Sequence, residues 1–273
     1  MTSSELNLEI RKKKSYLCVG LDIDMTRIPA HLHREANPVF TFNRAIIDAT
    51  ADLAIAYKPN LAFYEAMGTE GMRQLEMTVD YIRSKDPNLF NIADAKRGDI
   101  GNTAEQYAKA FFLHYDFDAI TLSPYMGKDS IEPFLQFPGK WAIILALTSN
   151  PGASDFQMLN VDQDQPLYEH VLMKSISWGT NDNLMFVVGA TKASDLESIR
   201  KIIPNHFLLV PGVGAQGGSL ADVTKFGIND SVGLLVNASR AVIFASNEND
   251  FAEKAAIAAH QYATEMKTLL TAL

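Results

Sequence analysis

The chain has 273 residues, 47% of them hydrophobic and 21% charged, and a formal net charge of −8. That is long enough to bury a large core and unlike a disordered or collagen-like chain. The acidic balance argues against non-specific nucleic-acid binding, which needs a basic face, but leaves room for a local basic pocket around a small anion.

The sole cysteine, Cys18, has no partner for an intramolecular disulfide and fits a reducing compartment. No apolar run suits a signal peptide or approaches the roughly 18 residues of a membrane span, so no membrane partner and a cytoplasmic location are expected. A basic cluster, Arg11 to Lys14, reads as a solvated lead-in. Residues 16–24 are then the first of eight short apolar segments. The others are 55–60, 90–96, 119–124, 141–148, 184–190, 207–213 and 233–239. Each is rich in Val, Ile, Leu and Phe, and their near-continuous apolarity is the pattern of parallel strands buried on both faces. Helical patterns fill the intervals. The first, 38–53, opens with Pro38 after Asn37 as N-cap, and 69–85 stops before Asp86-Pro87. Patterns at 102–115, 131–137, 167–178, 194–203 and 219–226 follow, and an Ala-rich helix over 250–270 closes the series. Eight strands, each followed by a helix, predict an α/β fold, a single (β/α)8 barrel domain over residues 1–273, with an open doubly wound sheet as the alternative. The longest irregular stretch, 149–165 after strand five, has the length of a functional lid.

In a barrel the chemistry sits at the carboxyl ends of the strands. Strand one ends in Gly20-Leu21-Asp22, strand two in Lys58-Pro59-Asn60, and strand three in Asp94-Ala95-Lys96-Arg97-Gly98-Asp99. Asp94 and Lys96 are two apart and share a strand face, while Ala93 and Ala95 take the other. Lys58 on the neighbouring strand supplies a second cation and Asp99 a second anion. Four such charges converging from adjacent strands point to a site rather than to a rim salt bridge, because buried charges must be compensated. Gly212-Val213-Gly214-Ala215-Gln216-Gly217 matches GxGxxG, but it lies on the seventh strand, and the next strand ends in Ser239-Arg240 rather than in an acid for a ribose. A Gly-rich turn before a helix, with Arg240 beside it, suits a single phosphate group. A plain strand–helix turn is the alternative. Thr148-Ser149-Asn150 could hydrogen-bond a polar ring, or simply make a turn before Pro151-Gly152. His31-x-His33 is the only close histidine pair and no HExxH occurs, so no metal site is expected. His114, His170, His206 and His260 read as structural or exposed, and Cys18 as core.

At Asp94-x-Lys96-x-x-Asp99 the chain resembles the orotidine 5′-phosphate decarboxylases. The resemblance extends through Gly20-Leu21-Asp22, Lys58-Pro59-Asn60, Asp94 to Thr103, Thr148 to Gly152, Pro211 to Gly218 and Asn237 to Arg240, in family order over nearly the whole chain. The Leu-Thr-Ser-Asn-Pro-Gly run is similar to the longer bacterial subgroup. The resemblance implies conversion of orotidine 5′-phosphate to UMP in pyrimidine biosynthesis without metal or cofactor. It makes Lys96 the donor of a proton to C6 and Asp94 the aspartate near the departing carboxylate, with Lys58 linking that aspartate to the ribose. Asp99, with Thr103 beside it, would enter the neighbouring subunit's site, which implies a homodimer. Asp22 would bind ribose hydroxyls, Ser149 the pyrimidine, and Gln216, Arg240 and the backbone of Gly217 and Gly218 the phosphate. Two other readings stay open. One is a metal-dependent sugar-phosphate enzyme sharing Asp-x-Lys-x-x-Asp, which has an acidic ligand where this chain has Lys58. The other is a barrel that binds a phosphorylated ligand without catalysis.

Overall fold

A computed structural model describes residues 1–162, 165–190, 193–214 and 218–272. Eight parallel strands close into a barrel in chain order: β1 (Leu17–Leu21), β2 (Ala54–Pro59), β3 (Phe90–Arg97), β4 (Ala119–Leu122), β5 (Trp141–Leu147), β6 (Leu184–Val188), β7 (Phe207–Pro211) and β8 (Leu234–Ala238). The closing pair is β8 against β1, with Leu17 opposite Val236 and Val19 opposite Ala238. Each strand falls within a segment read from the sequence or within a residue of it, and the open-sheet alternative is excluded.

The strands are buried almost throughout, as parallel strands covered by helices outside and packed side chains inside must be. At the amino-terminal end the barrel is filled from alternate strands. Trp141 of β5 stands edge-on between Phe90 of β3 and Phe207 of β7, at centroid separations of 5.9 and 6.3 Å. The Trp141 indole N–H donates to the carbonyl of Met1 at 2.7 Å, so the start of the chain covers this end.

That start corrects the solvated lead-in. Ser3–Lys13 is a helix whose last turn carries Arg11, Lys12 and Lys13. A Thr2–Glu5 capping box opens it, and Leu6 and Ile10, four apart on one face, are fully buried. Its basic residues reach the barrel: Lys13 Nζ donates to the carbonyls of Ala51 and Ala54, and Arg11 to that of Asp230.

The helix Pro38–Thr50 begins at Pro38 as expected, but the Asn37 side chain caps nothing. Its amide oxygen accepts from the Arg73 guanidinium instead. The expected helix over 102–115 is α-helical over Gly101–Lys109 and continues as a π-helical turn over Ala110–His114. The stretch after β5 holds a short helix, Ala153–Phe156, and the antiparallel pair Asn160–Asp162 with Gln165–Pro166. Among the described residues no helix is long and apolar enough to cross a membrane. Cys18 is fully buried, and burial above all pushes its thiol up to about 12, so it is a packing residue.

Candidate active site

The carboxyl ends of the strands enclose a cavity of about 350 Å³. Its floor is apolar on the β5–β7 side, from Leu145, Val187 and Leu209, and charged on the β1–β3 side, from Asp22, Lys58, Asp94 and Lys96. Thr148, Ser149 and Asn150 after β5 and Ser239 and Arg240 after β8 form its rim. An apolar shelf beside a charged wall and a polar rim suits a flat polar ring carrying anionic groups.

Asp94 is the centre of the charged wall. Its Oδ2 accepts from Lys58 Nζ at 2.8 Å, and its Oδ1 accepts from Lys96 Nζ at 2.6 Å and from the Thr121 hydroxyl at 3.0 Å. Burial alone would raise the Asp94 pKa, but the two ammonium groups outweigh it and hold the carboxyl well below the usual carboxylate range. Burial likewise works to discharge Lys58, and the carboxylates of Asp94 and Asp22 overcome it, so the Lys58 pKa is raised. The buried Lys58–Asp94 pair is therefore held in its ionised form, and Lys96 completes a Lys–Asp–Lys row. Lys58 is only 4% exposed, whereas half of the Lys96 side chain is exposed at the cavity mouth. One cation is built in and the other is presented to a ligand.

The backbone explains that difference. Lys96 has φ +48°, in the left-handed region, so β3 leaves its regular course there. The Asp94–Lys96 pair still meets, through bent backbone and not through simple alternation along a strand.

Asp22 lies at the end of β1 with Oδ1 buried and without a hydrogen-bond partner among the described residues. It is an acceptor facing the cavity, ready for a ligand hydroxyl. Gly20 makes this corner possible: a Cβ there would sit 1.9 Å from Ser239 Oγ, so β1 and the end of β8 can approach this closely only at a glycine.

After β7 the chain turns through Gly212 and Gly214, at φ +93° and +76°, conformations that favour glycine. Gly214 N–H donates to the Gly218 carbonyl at 2.9 Å, and Ser219 caps the helix Leu220–Gly227. Gln216 and Gly217, expected to hold a phosphate, lie outside the described residues, and Gly218 is described but does not line the cavity. Arg240, expected beside them, stands on the rim at the start of the short helix Arg240–Ile243.

Asp99 does not join the row of its own chain. Its carboxylate accepts from the backbone N–H of Ile100 at 2.8 Å, and neither it nor the exposed Thr103 lines the cavity. The fourth charge at this chain's wall is Asp22. Asn60, Thr121, Asn237 and Ser239 also line the cavity and were not singled out as site residues from the sequence. Asn60, Asn237 and Ser239 stand inside the quoted motifs, but nothing in the apolar run of β4 marks Thr121 except its hydroxyl.

A family profile described as orotidine 5′-phosphate decarboxylase / HUMPS matches residues 15–255. An orotidine 5′-phosphate decarboxylase of Flavobacterium johnsoniae is 57% identical over 270 residues, 99% of this chain and 98% of that protein. One of Parabacteroides distasonis is 57% identical over 266 residues, 97% of this chain and 95% of that protein. The solved structure of Leishmania donovani OMP decarboxylase superposes with a TM-score of 0.83 at 36% identity, covering 98% of both chains.

Proposed function

The chain belongs to the orotidine 5′-phosphate decarboxylase / HUMPS family, and we propose that Lys96, poised on Asp94, is the group that protonates C6 of its substrate. The reaction is the decarboxylation of orotidine 5′-phosphate in pyrimidine biosynthesis. The observation that carries the assignment of Lys96 is the Lys58–Asp94–Lys96 row, with half of the Lys96 side chain exposed at the cavity mouth.

Cleavage of the bond between C6 and the carboxylate leaves its electron pair on C6 and releases carbon dioxide. A vinyl carbanion at C6 has no conjugated electron sink, so it must be stabilised by charge. A preorganised ammonium supplies that charge at small reorganisation cost. The Lys96 proton then moves to C6, the electron pair becomes a C–H bond, and the neutral amine recovers a proton from solvent. Asp94 fixes the direction of the Lys96 ammonium, and it sits where the departing carboxylate would feel its charge. Lys58 anchors Asp94 and faces Asp22, whose unpartnered oxygen suits a ribose hydroxyl. Ser149 and Arg240 line the cavity rim, and we assign Ser149 to the pyrimidine and Arg240 to the phosphate; the sequence resemblance adds Gln216 and the backbone of Gly217 and Gly218 to the phosphate site. That phosphate is remote from the reacting carbon, so its binding energy can serve loop closure and the transition state.

In this reading no metal takes part, because every Asp94 oxygen is already engaged by a donor, and no other cofactor is needed. Asp99 and Thr103, which do not line the cavity of their own chain, belong to the site of a second subunit in a homodimer. The metal-free reading is tested by following the ultraviolet loss of orotidine 5′-phosphate before and after exhaustive chelation. The rate should not change. Activity that disappears with EDTA and returns with Mg²⁺ would overturn it.

A further inference from the structure

We infer that Thr121 is a positioning residue for the decarboxylation, its hydroxyl tying the backbone of Lys96 to the carboxylate that holds the Lys96 ammonium. This rests on the reading of Lys96 as proton donor. Thr121 is the only hydroxyl-bearing residue of β4 and is 1% exposed. Its Oγ1 accepts the Lys96 backbone N–H at 2.9 Å and donates to Asp94 Oδ1 at 3.0 Å. The roles are unambiguous: an amide N–H can only donate and an ionised carboxylate can only accept, so the hydroxyl must do one of each. With Lys96 Nζ on the same Oδ1 at 2.6 Å, the bonds close a ring from the backbone of Lys96 to its own ammonium.

The strand pairing shows why this hydroxyl is needed. β3 and β4 pair at Ala93–Ile120 and next at Arg97–Leu122. Residues 94, 95 and 96 thus stand opposite Thr121 alone, a bulge that takes the Lys96 N–H out of the ladder. Lys96 at φ +48° is in a conformation that a residue with a Cβ disfavours, and it must be held there by its surroundings. The Thr121 hydroxyl is the partner that replaces the lost ladder bond.

The same bond matters during turnover. As the Lys96 proton passes to C6, the amine becomes neutral and Asp94 loses one of its two cations. Thr121 and Lys58 still donate to the carboxylate, so Asp94 stays in place to receive the ammonium again. Thr121→Val would fill the same space, leave the Lys96 N–H without its partner and Asp94 Oδ1 with the Lys96 ammonium as its one remaining donor, and loosen that ammonium.

The test is steady-state kinetics of Thr121→Val, Thr121→Ala and Thr121→Ser beside the parent and Lys96→Ala, each checked for folding by thermal melting. Thr121→Val and Thr121→Ala should lower kcat by about tenfold to a hundredfold, the scale of a slightly misplaced reacting group, while KM stays within about twofold. Thr121→Ser, which keeps the hydroxyl, should stay within about threefold of the parent on the same scale. If Thr121→Val does not fold, Thr121→Ala carries the comparison. Parent-like kcat in T121V and T121A, an equal loss in T121S, or a loss confined to KM would each overturn the role of Thr121. Full activity in Lys96→Ala would instead overturn the proton-donor reading on which it rests.

Discussion

Acidification from pH 7 to pH 5 should destabilise this protein through His206, far from the chemistry. His206 immediately precedes β7, at the amino-terminal end of the barrel. Its ring stands edge-on to Phe186 at 5.5 Å, and both ring nitrogens are buried without a partner among the described residues. Arg200 donates to the His206 carbonyl at 2.6 Å, which places a guanidinium close by. Burial first, and the Arg200 charge second, push the imidazole down from 6.5 to about 4. The unfolded chain therefore takes up this proton near pH 6.5, and the folded chain only near pH 4. Between those values the unfolded state holds more protons, so stability falls as pH falls. The full shift is worth about 3 kcal/mol, and about 2 kcal/mol of it is lost by pH 5. Asp94, whose pKa is lowered on folding, loses its own contribution only in more acid solution, below the usual carboxylate range. The assay is thermal melting of the parent and His206→Phe at both pH values. A phenyl ring keeps the apolar contact and removes the titration. The parent should lose about 4–8 °C more than the variant between pH 7 and pH 5, from roughly 2–4 °C per kcal/mol in a domain of this class. Parallel losses in the two proteins would refute the burial argument.

Arg240→Ala should weaken UMP binding by about a hundredfold, the scale of one charge-assisted contact, and weaken uridine binding far less. Titration calorimetry with both ligands checks this, and equal losses would remove Arg240 from the phosphate. Lys96→Ala and Asp99→Ala, each nearly inactive alone, should complement on mixing. One site of each mixed dimer then draws Lys96 from one subunit and Asp99 from the other, and random exchange returns about a quarter of parent activity. No recovery, with exchange verified independently, would mean that Asp99 serves its own chain.

The eight strands were legible because parallel strands covered on both faces leave uninterrupted apolar runs, and the residues at their ends stand at the cavity by the geometry of the fold. Asp22, Lys58, Asp94 and Lys96 were read in this way, and the structure brings all four together. Helix Ser3–Lys13 was not legible from periodicity, since only Leu6 and Ile10 anchor it among charges. Its signal was the Thr2–Glu5 capping box. The Asn37 cap failed because Arg73, 36 residues away, competes for the same amide oxygen, and no local pattern carries that. Thr121 and the bulge at Lys96 were hidden for a related reason. They depend on the register between β3 and β4, which is set by packing around the whole barrel rather than by either strand alone.

If the ammonium held at the mouth of the cavity by Asp94 delivers the proton to C6, the rate at which Lys96→Ala removes the ultraviolet absorbance of orotidine 5′-phosphate should fall by roughly a thousandfold or more. UMP should still bind within about tenfold, because the variant loses both charge stabilisation and proton donor while keeping the rest of the cavity. A rate within about tenfold of the parent, on that same scale, would contradict proton delivery by Lys96.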